Sequence, residues 1–590
     1  MCRIAGLINR SINISSVEVM VTEMCQLLKH GGPDGEGIYI NEENNLVLGH
    51  RRLSLIDLSS NGHQPMSYAN SRYYISYNGE LYNYLELKNE LIKAGCYFNS
   101  HSDTEVILAA FATWGTKAFA RFNGMFAFAL CDNDTKELFL VRDSIGMKPL
   151  YYANTLEGLA FASEIKAFKV IPYLQQRNNN SDIYLMAYGH LPEPITTLKE
   201  VKPLEKGTWL KYHIPSATIE THLFKQHSYF EKIDDRKEAV GYIKNSLNDA
   251  VQRHLLSDAP IGVFLSGGLD SSIVTLLANK TREDLKTVSI FFEDKNYSEK
   301  QYQDLLQGGL SFTQHQYLIT ANDFHDNLSG IMNAMDLPSC DGINTWFISK
   351  YAKENGLKAM LSAVGGDELY GGYPSFDRMK ATLLLKKIPN KILRKSISAS
   401  SKKIRRIPYL SINGAVGEYL FLRGQFIPSE IAKYLDADEG EVWKILEEEP
   451  LIKNIDYLTV GNQASFIECN LYMQNQLLRD ADIMSMAHGV EIRLPFLDMA
   501  FVNLSLQISS LLKYSGSRKK QLLIDSFKDI LPEQIWNRPK MGFTFPFKEW
   551  LGDDRYVKSR NGKYMGEYLA KMRSGDIHWS QFFTLLLMER

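Results

Sequence analysis

Cys2 stands directly behind Met1. Cysteine is small, so removal of the methionine is expected to leave a thiol and a free α-amine on one residue. An α-amine titrates near ~8 and a cysteine thiol near ~8.5, so the amine can take the thiol proton through a water, and the residue becomes a nucleophile with its own base. A chance small residue at position 2 would look the same, so the reading depends on the rest of the chain. Far downstream, the apolar run 260–265 is followed by Ser266-Gly267-Gly268-Leu269-Asp270-Ser271-Ser272. A buried strand that turns into a helix through small residues lets backbone N–H groups approach an anion, and the start of the helix adds a favourable field. Leu265, Ser266, Gly267, Gly268 and Ser271 are therefore the candidate phosphate ligands, and Asp270 suits Mg²⁺. The lysine of a Walker loop is missing. A second glycine-rich block, 361–373, again follows a short apolar run and sets Asp367 and Glu368 at a tight turn, where Asp367 is the second candidate metal ligand.

These groups need scaffolds of two kinds. Up to about residue 210 the pattern is short β-like runs, 45–56, 73–77, 125–131, 137–141 and 159–162, interrupted by helical stretches at 84–93 and 103–113. Ser102-Asp103-Thr104-Glu105 reads as a capping box opening the second helix. From about 236 onward helices dominate, with buried strands expected at 261–265, 287–292 and 359–362. Strand, glycine turn and helix in that order is the rhythm of a parallel α/β sheet. The stretch 211–235 is polar and aperiodic, so the expected division is a first domain at 1–210, a linker at 211–235 and a second domain at 236–590.

Among the 590 residues, Lys+Arg (66) nearly balance Asp+Glu (68), which gives no electrostatic footing for a nucleic acid partner. Residues 386–406 carry nine Lys or Arg and no acid, but no interleaved aromatics, and read as a solvated surface. No apolar run reaches the roughly 18 residues of a membrane span, and the start lacks a signal-peptide core. The six cysteines lie without CxxC pairs, as in a reduced, cytoplasmic protein.

His30-Gly31-Gly32-Pro33-Asp34, Arg52 to Asp57, Asn78-Gly79-Glu80-Leu81-Tyr82-Asn83 and the 102–105 block occur in order behind Cys2. Over about 1–200 they resemble the class II glutamine amidotransferase domain, an N-terminal-nucleophile hydrolase with an αββα sandwich. The resemblance implies that Arg52 pairs with the glutamine α-carboxylate and that Glu80 and Asp103 hold its ammonium. It also implies that Asn78 and the Gly79 N–H form the oxyanion hole. Alone, Asp103 could merely cap a helix, and Asn78-Gly79 could be a hairpin turn. One departure stands out: the family usually reads Arg-His-Arg-Gly-Pro-Asp where this chain has Lys29-His30-Gly31-Gly32-Pro33-Asp34.

The SGGLDSS loop resembles the pyrophosphate loop of the ATP pyrophosphatases, a parallel α/β fold. With 361–373, Arg479-Asp480-Ala481-Asp482, the 491–498 block and Ser517-Arg518-Lys519-Lys520, the second half resembles the asparagine synthetase domain over about 236–550. Lys520 aligns with the family lysine that contacts pyrophosphate. Arg479 and Arg493 are either substrate contacts or ion-pair partners of Asp480 and Glu491. The implied reaction joins glutamine, ATP and a carboxylate, with aspartate first as acceptor, and with ATP and Mg²⁺ as the cofactors. Amidation of a sugar acid or another carboxylate is the alternative, and a non-catalytic binding protein on the same fold is a second. Asparagine synthetases usually carry an acid where this chain has Val364, so Val364, Glu368 and Arg479 are the acceptor-site candidates. No membrane or nucleic acid partner is expected; a homodimer is the assembly considered, though no residue pattern argues for it.

Overall fold

The computed structural model describes residues 2–308, 311–395, 405–448, 454–554, 556 and 564–589. Three sheets organise it. In the first, six antiparallel strands run in the order Lys202–Pro203, Tyr151–Thr155, Gly158–Ala162, Arg3–Asn9, Leu46–Arg52 and Gly35–Asn41. In the second, also antiparallel, the order is Thr218–Leu223, Thr208–His213, Glu137–Arg142, Gly124–Asp132, Tyr73–Leu81 and Met66–Tyr68. Strand side chains alternate between faces, so Ile4 and Ile8 meet Ala127, Ala129, Leu138 and Leu140 between the two sheets. Ala5 and Leu7 face outward and pack with Val17, Val21 and Met24 of helix Ile14–Leu27. On the far face of the second sheet, helices Tyr84–Lys93 and Asp103–Trp114 cover Tyr73, Ile75 and Phe128. This is the expected αββα sandwich.

Part of the stretch read as a linker belongs to that sandwich. Thr208–His213 runs into it, and Thr218–Leu223 pairs with Thr208–His213 as an edge strand. Its own exposure pattern is almost wholly polar and solvent-facing, which is why no period of two was visible in its sequence. Helix Arg236–His254 then begins at Asp235, whose side chain accepts from the Glu238 N–H at 2.8 Å.

The third sheet is parallel, in the order Thr313–Leu318, Lys286–Phe291, Ile261–Phe264, Ala359–Leu361 and Glu491–Arg493. Its central strands are fully buried and flanked by helices, the hallmark of an α/β layer. The strands expected at 261–265, 287–292 and 359–362 are thus found, each shifted by at most a residue. Of the basic stretch 386–406, residues 396–404 lie outside the described residues; Lys386, Arg394 and Arg405 pair with Glu418, Glu447 and Glu430. Among the described residues no helix is long and apolar enough to cross a membrane.

The two halves are packed against each other. Lys358 reaches Asp34 at 2.7 Å, the Asp57 N–H donates to Asp258 at 2.8 Å, and Asn123 donates to Asp498 at 3.2 Å.

Candidate active sites

The first strand begins at Arg3, so Cys2 enters from its end on the parity that faces the second sheet. Its backbone nitrogen, the atom that becomes the α-amine once Met1 is removed, donates to Asn78 Oδ1 at 3.1 Å. Asn78 and Gly79 lie inside strand Tyr73–Leu81 rather than in a hairpin turn. The amide of Asn78 is completely buried, and its Nδ2 has no hydrogen-bond partner among the described residues. A buried unpaired donor is costly, and this one lies on the residue whose oxygen holds the Cys2 nitrogen. Burial pushes the Cys2 thiol up.

Arg52 ends strand Leu46–Arg52, and its guanidinium donates to the carbonyls of Ser59, at 3.0 Å, and Asp57. A Cβ at Gly62 would fall 2.0 Å from Arg52 Nη2, so glycine there is what admits the arginine. Asp103 opens its helix and accepts from Tyr77 OH at 3.0 Å and from the Leu81 N–H at 2.9 Å. Glu80 is buried beside it. Burial pushes both carboxyls up, so the pair favours an incoming cation. The capping box is only half formed: Ser102 accepts from the Thr104 N–H, but Glu105 turns back to the N–H groups of Asn99 and Ser100.

In the second half, strand Ile261–Phe264 leads through Gly267, at φ +91°, into helix Leu269–Thr281. Only glycine takes that backbone without strain. Ser266 Oγ lies 2.9 Å from Ser271 Oγ and accepts from the Gly268 N–H at 3.2 Å, while Gly268 caps the helix without a side chain. The helix thus begins with backbone donors open to an anion. Lys520 Nζ bridges Asp270 and Asp367, joining the two glycine-rich blocks. Burial pushes Asp270 up; Asp367, half-buried, is held at about 2 by Lys520 and Lys540. Two glycines make the approach possible: a Cβ at Gly366 would sit 2.8 Å from the Asp270 carboxylate, and one at Gly372 would sit 1.7 Å from Asp367 Oδ1.

The donor set fits Mg²⁺. Two hard carboxylates converge, Asp270 Oδ1 is buried without a hydrogen-bond partner among the described residues, and no larger His/Cys/Asp/Glu group is present among them. Mg²⁺ commonly takes one or two carboxylates and completes its shell with phosphates and water.

Sequence reasoning missed two cations here. Lys540 reaches Asp367 at 2.6 Å and covers the Tyr373 ring at 4.6 Å. Arg538 donates to the Gly267 carbonyl at 2.9 Å and stacks on Tyr302 at 3.7 Å. Both lie in 537–546, which has almost no regular structure. The available signal was two cations flanking a proline, Arg538-Pro539-Lys540, just ahead of Gly542.

Of the acceptor candidates, Val364 and Glu368 share one turn. Val364 is half-buried; Glu368 is buried and accepts from the Gly365 N–H at 3.0 Å and from Tyr373 OH at 2.7 Å. Burial, then the Asp367 charge, push Glu368 up to about 7. Arg479 turns elsewhere, donating to the Leu191 carbonyl at 2.9 Å and lining, with Arg142, Glu193 and Asn475, a small cavity between the halves. Of the two ion pairs weighed for the arginines, Arg493 with Glu491 is present at 2.6 Å. Arg493 also reaches Glu80 across the boundary at 3.2 Å, while its carbonyl accepts from the Ser362 N–H at 2.8 Å. No acid lies within ion-pair distance of Arg479 among the described residues.

Residues 1–225 match the family model for a glutamine amidotransferase domain, and residues 242–572 match that for asparagine synthase. The chain is 31% identical to asparagine synthetase [glutamine-hydrolyzing] 1 of Bacillus subtilis over 95% of its own length and 89% of that protein. It is 32% identical to a putative asparagine synthetase of Methanocaldococcus jannaschii over 71% of this chain and 83% of that one. It is also similar to a protein named amidase chry2 of Gibberella zeae, at 25% identity over 92% of this chain and 87% of that one.

Proposed function

The chain belongs to the glutamine-hydrolysing asparagine synthetase family, and from that premise we propose that it makes asparagine from aspartate with nitrogen taken from glutamine. Glutamine-dependent, ATP-using amidation is the reaction of its two domains; aspartate as the acceptor and the residue roles below are the proposed part. The observation that carries the reading is that an unpaired buried amide donor beside Cys2 and a lysine-bridged carboxylate pair at a phosphate loop occur in one chain.

At the first site the Cys2 α-amine takes the thiol proton, and sulfur attacks the glutamine side-chain carbonyl. Asn78 Nδ2 and the Gly79 N–H receive the developing oxyanion. The tetrahedral centre expels ammonia, and water then cleaves the thioester to glutamate. Arg52 pairs with the α-carboxylate, and Glu80 and Asp103 take the ammonium. At the second site an aspartate carboxylate oxygen attacks the α-phosphorus of ATP, and pyrophosphate leaves toward Lys520, Lys540 and the 266–271 loop. Asp270 and Asp367 would hold Mg²⁺, which neutralises phosphate charge when bound. Ammonia attacks the acyl-adenylate, AMP departs, and the amide nitrogen sheds a proton. Ammonia made inside the protein stays unprotonated, whereas at neutral pH most free ammonia is ammonium.

In this reading Glu368 takes that proton, since Val364 cannot. With its carboxyl near 7, its ionised fraction rises through neutrality, so amide formed per pyrophosphate should rise between about pH 6 and pH 8. Glu368→Gln should flatten that profile, and Val364→Glu should lift its acid side while pyrophosphate release stays nearly constant. A missing base costs about 10²–10⁴-fold. A flat profile in the unaltered protein would remove Glu368 from this role.

A second reading rests on Val364 itself: a different acid, such as a sugar acid of a surface polysaccharide, could carry the group that takes the proton. Incubation with ATP, amide-labelled glutamine and candidate acids, followed by mass spectrometry, tests both. Labelled asparagine is expected. Pyrophosphate and labelled amide that depend on another acid, with none from aspartate, would overturn aspartate as acceptor.

A further inference from the structure

The departure at Gly31 has a counterpart on the first strand. A Cβ on Gly31 would lie 2.8 Å from Cγ and 3.0 Å from Nε of Arg3, so the Arg3 side chain fills the space that any larger residue at 31 would need. Arg3 is fully buried. Its Nε lies 2.5 Å from Glu164 Oε1, and its Nη2 lies 3.0 Å from Asp482 Oδ2. Glu164, also fully buried, is held further by Lys166 at 2.6 Å and His30 at 2.9 Å. Asp482 sits on helix Arg479–Met486 of the synthetase half, and Lys148 of the glutaminase half reaches its other oxygen at 3.2 Å. Asp336, again from the synthetase half, accepts from the N–H groups of Ile165 and Lys166 at 2.6 and 2.8 Å. An acid from each half thus closes on Arg3, one residue from the nucleophile.

Strand alternation sends Arg3 outward and Cys2 toward Asn78. The direction of one side chain fixes the direction of the other. We infer that Arg3 is a positioning residue: its bridge between Glu164 and Asp482 sets the start of the first strand, and so makes the seat of Cys2 depend on the helix Arg479–Met486. It brings a guanidinium into the volume beside position 31, where the family usually has an arginine. This rests on the glutaminase reading of Cys2 given above.

The test uses the full-length chain as Arg3→Gly, Gly31→Arg, the combined Arg3→Gly/Gly31→Arg, Arg3→Lys and Asp482→Asn. Glutamine hydrolysis is measured as kcat and KM, beside ammonium-supported pyrophosphate release and thermal unfolding. Misplacement of a reacting group by about 1 Å can cost about 100-fold. Arg3→Gly should therefore lose roughly 30- to 100-fold in kcat, with KM for glutamine within about threefold and ammonium-supported activity retained. Gly31→Arg alone should be impaired, because two side chains then claim one volume. The combined variant should stay as low in kcat as Arg3→Gly, because an arginine at position 31 lies on the turn Lys29–Gly31 and no longer ties the two acids to the start of the first strand. Asp482→Asn should lower kcat in the same direction. A merely structural role would instead lower both activities and the unfolding temperature together.

Should Arg3→Gly fail to fold, Arg3→Lys keeps the charge but cannot bridge two carboxylates with one planar fork, and a reduced kcat is expected there. Unchanged kcat in Arg3→Gly or Arg3→Lys, or full recovery of kcat in a folded combined variant, would overturn the proposal. Absence of glutamine hydrolysis in the unaltered chain would overturn the glutaminase reading along with it, and so is distinguishable from failure of this step alone.

Discussion

Replacing Cys2 with alanine is expected to lower glutamine-dependent amidation by about 10⁴-fold or more while amidation with added ammonium salts continues. In the proposed mechanism the sulfur is the atom that forms the thioester; the thiol is buried, and the backbone nitrogen beside it is engaged by Asn78. The ATP site should be untouched, because its carboxylates and lysine lie in the other half, beyond the ends of the interior strands of a different sheet. Pyrophosphate release supported by ammonium, compared with glutamate release from glutamine, separates the two. Glutamine hydrolysis persisting in a homogeneous Cys2→Ala preparation would show that the nucleophile lies elsewhere.

Asp270→Asn should give the converse pattern, with glutamate release intact and pyrophosphate formation lowered by about 10²–10³-fold. The substitution removes a hard charged ligand and leaves Lys520, which is buried between two carboxylates, with one of them. Lys520→Ala should resemble it, since Asp270 and Asp367 would then face each other without the cation between them. Lys540 is at the rim of the same cluster and more exposed, so its removal should cost less. A wild-type rate of pyrophosphate release in Asp270→Asn would dismiss this loop as the ATP site.

What could be read in the sequence was local. The strand-glycine-helix run around Gly267 and the blocks behind Cys2 carry their geometry within a few residues; the strand and helix around Gly267 lie where their pattern predicts, and the helix at Asp103 opens where expected although its capping box is half formed. Lys540 was not legible, because a lysine in an irregular segment gains meaning only when Asp367, far away in the sequence, lies beside it. The edge strand Thr218–Leu223 was missed for a related reason: with little to bury, its residues do not alternate, and its place comes from backbone pairing with Thr208–His213. The arginines show the limit most clearly. Adjacent acids suggested an ion pair for each, and Arg493 has one; Arg479 does not pair with Asp480, which instead accepts from Ser339 Oγ at 2.6 Å.

Arg493 touches Glu80, proposed for the glutamine site, with its side chain and, with its carbonyl, the N–H of Ser362 in the 361–373 block that carries the proposed acceptor site, so one buried strand residue has a contact toward each proposed site. Thermodynamic linkage then imposes a symmetry. Whatever factor an occupied acceptor site applies to glutamine affinity through this residue, bound glutamine must apply the same factor to affinity at the acceptor site. A donor that binds more tightly when the acceptor is activated is therefore also a donor that holds the activated acceptor in place, and nitrogen is released where a recipient is waiting.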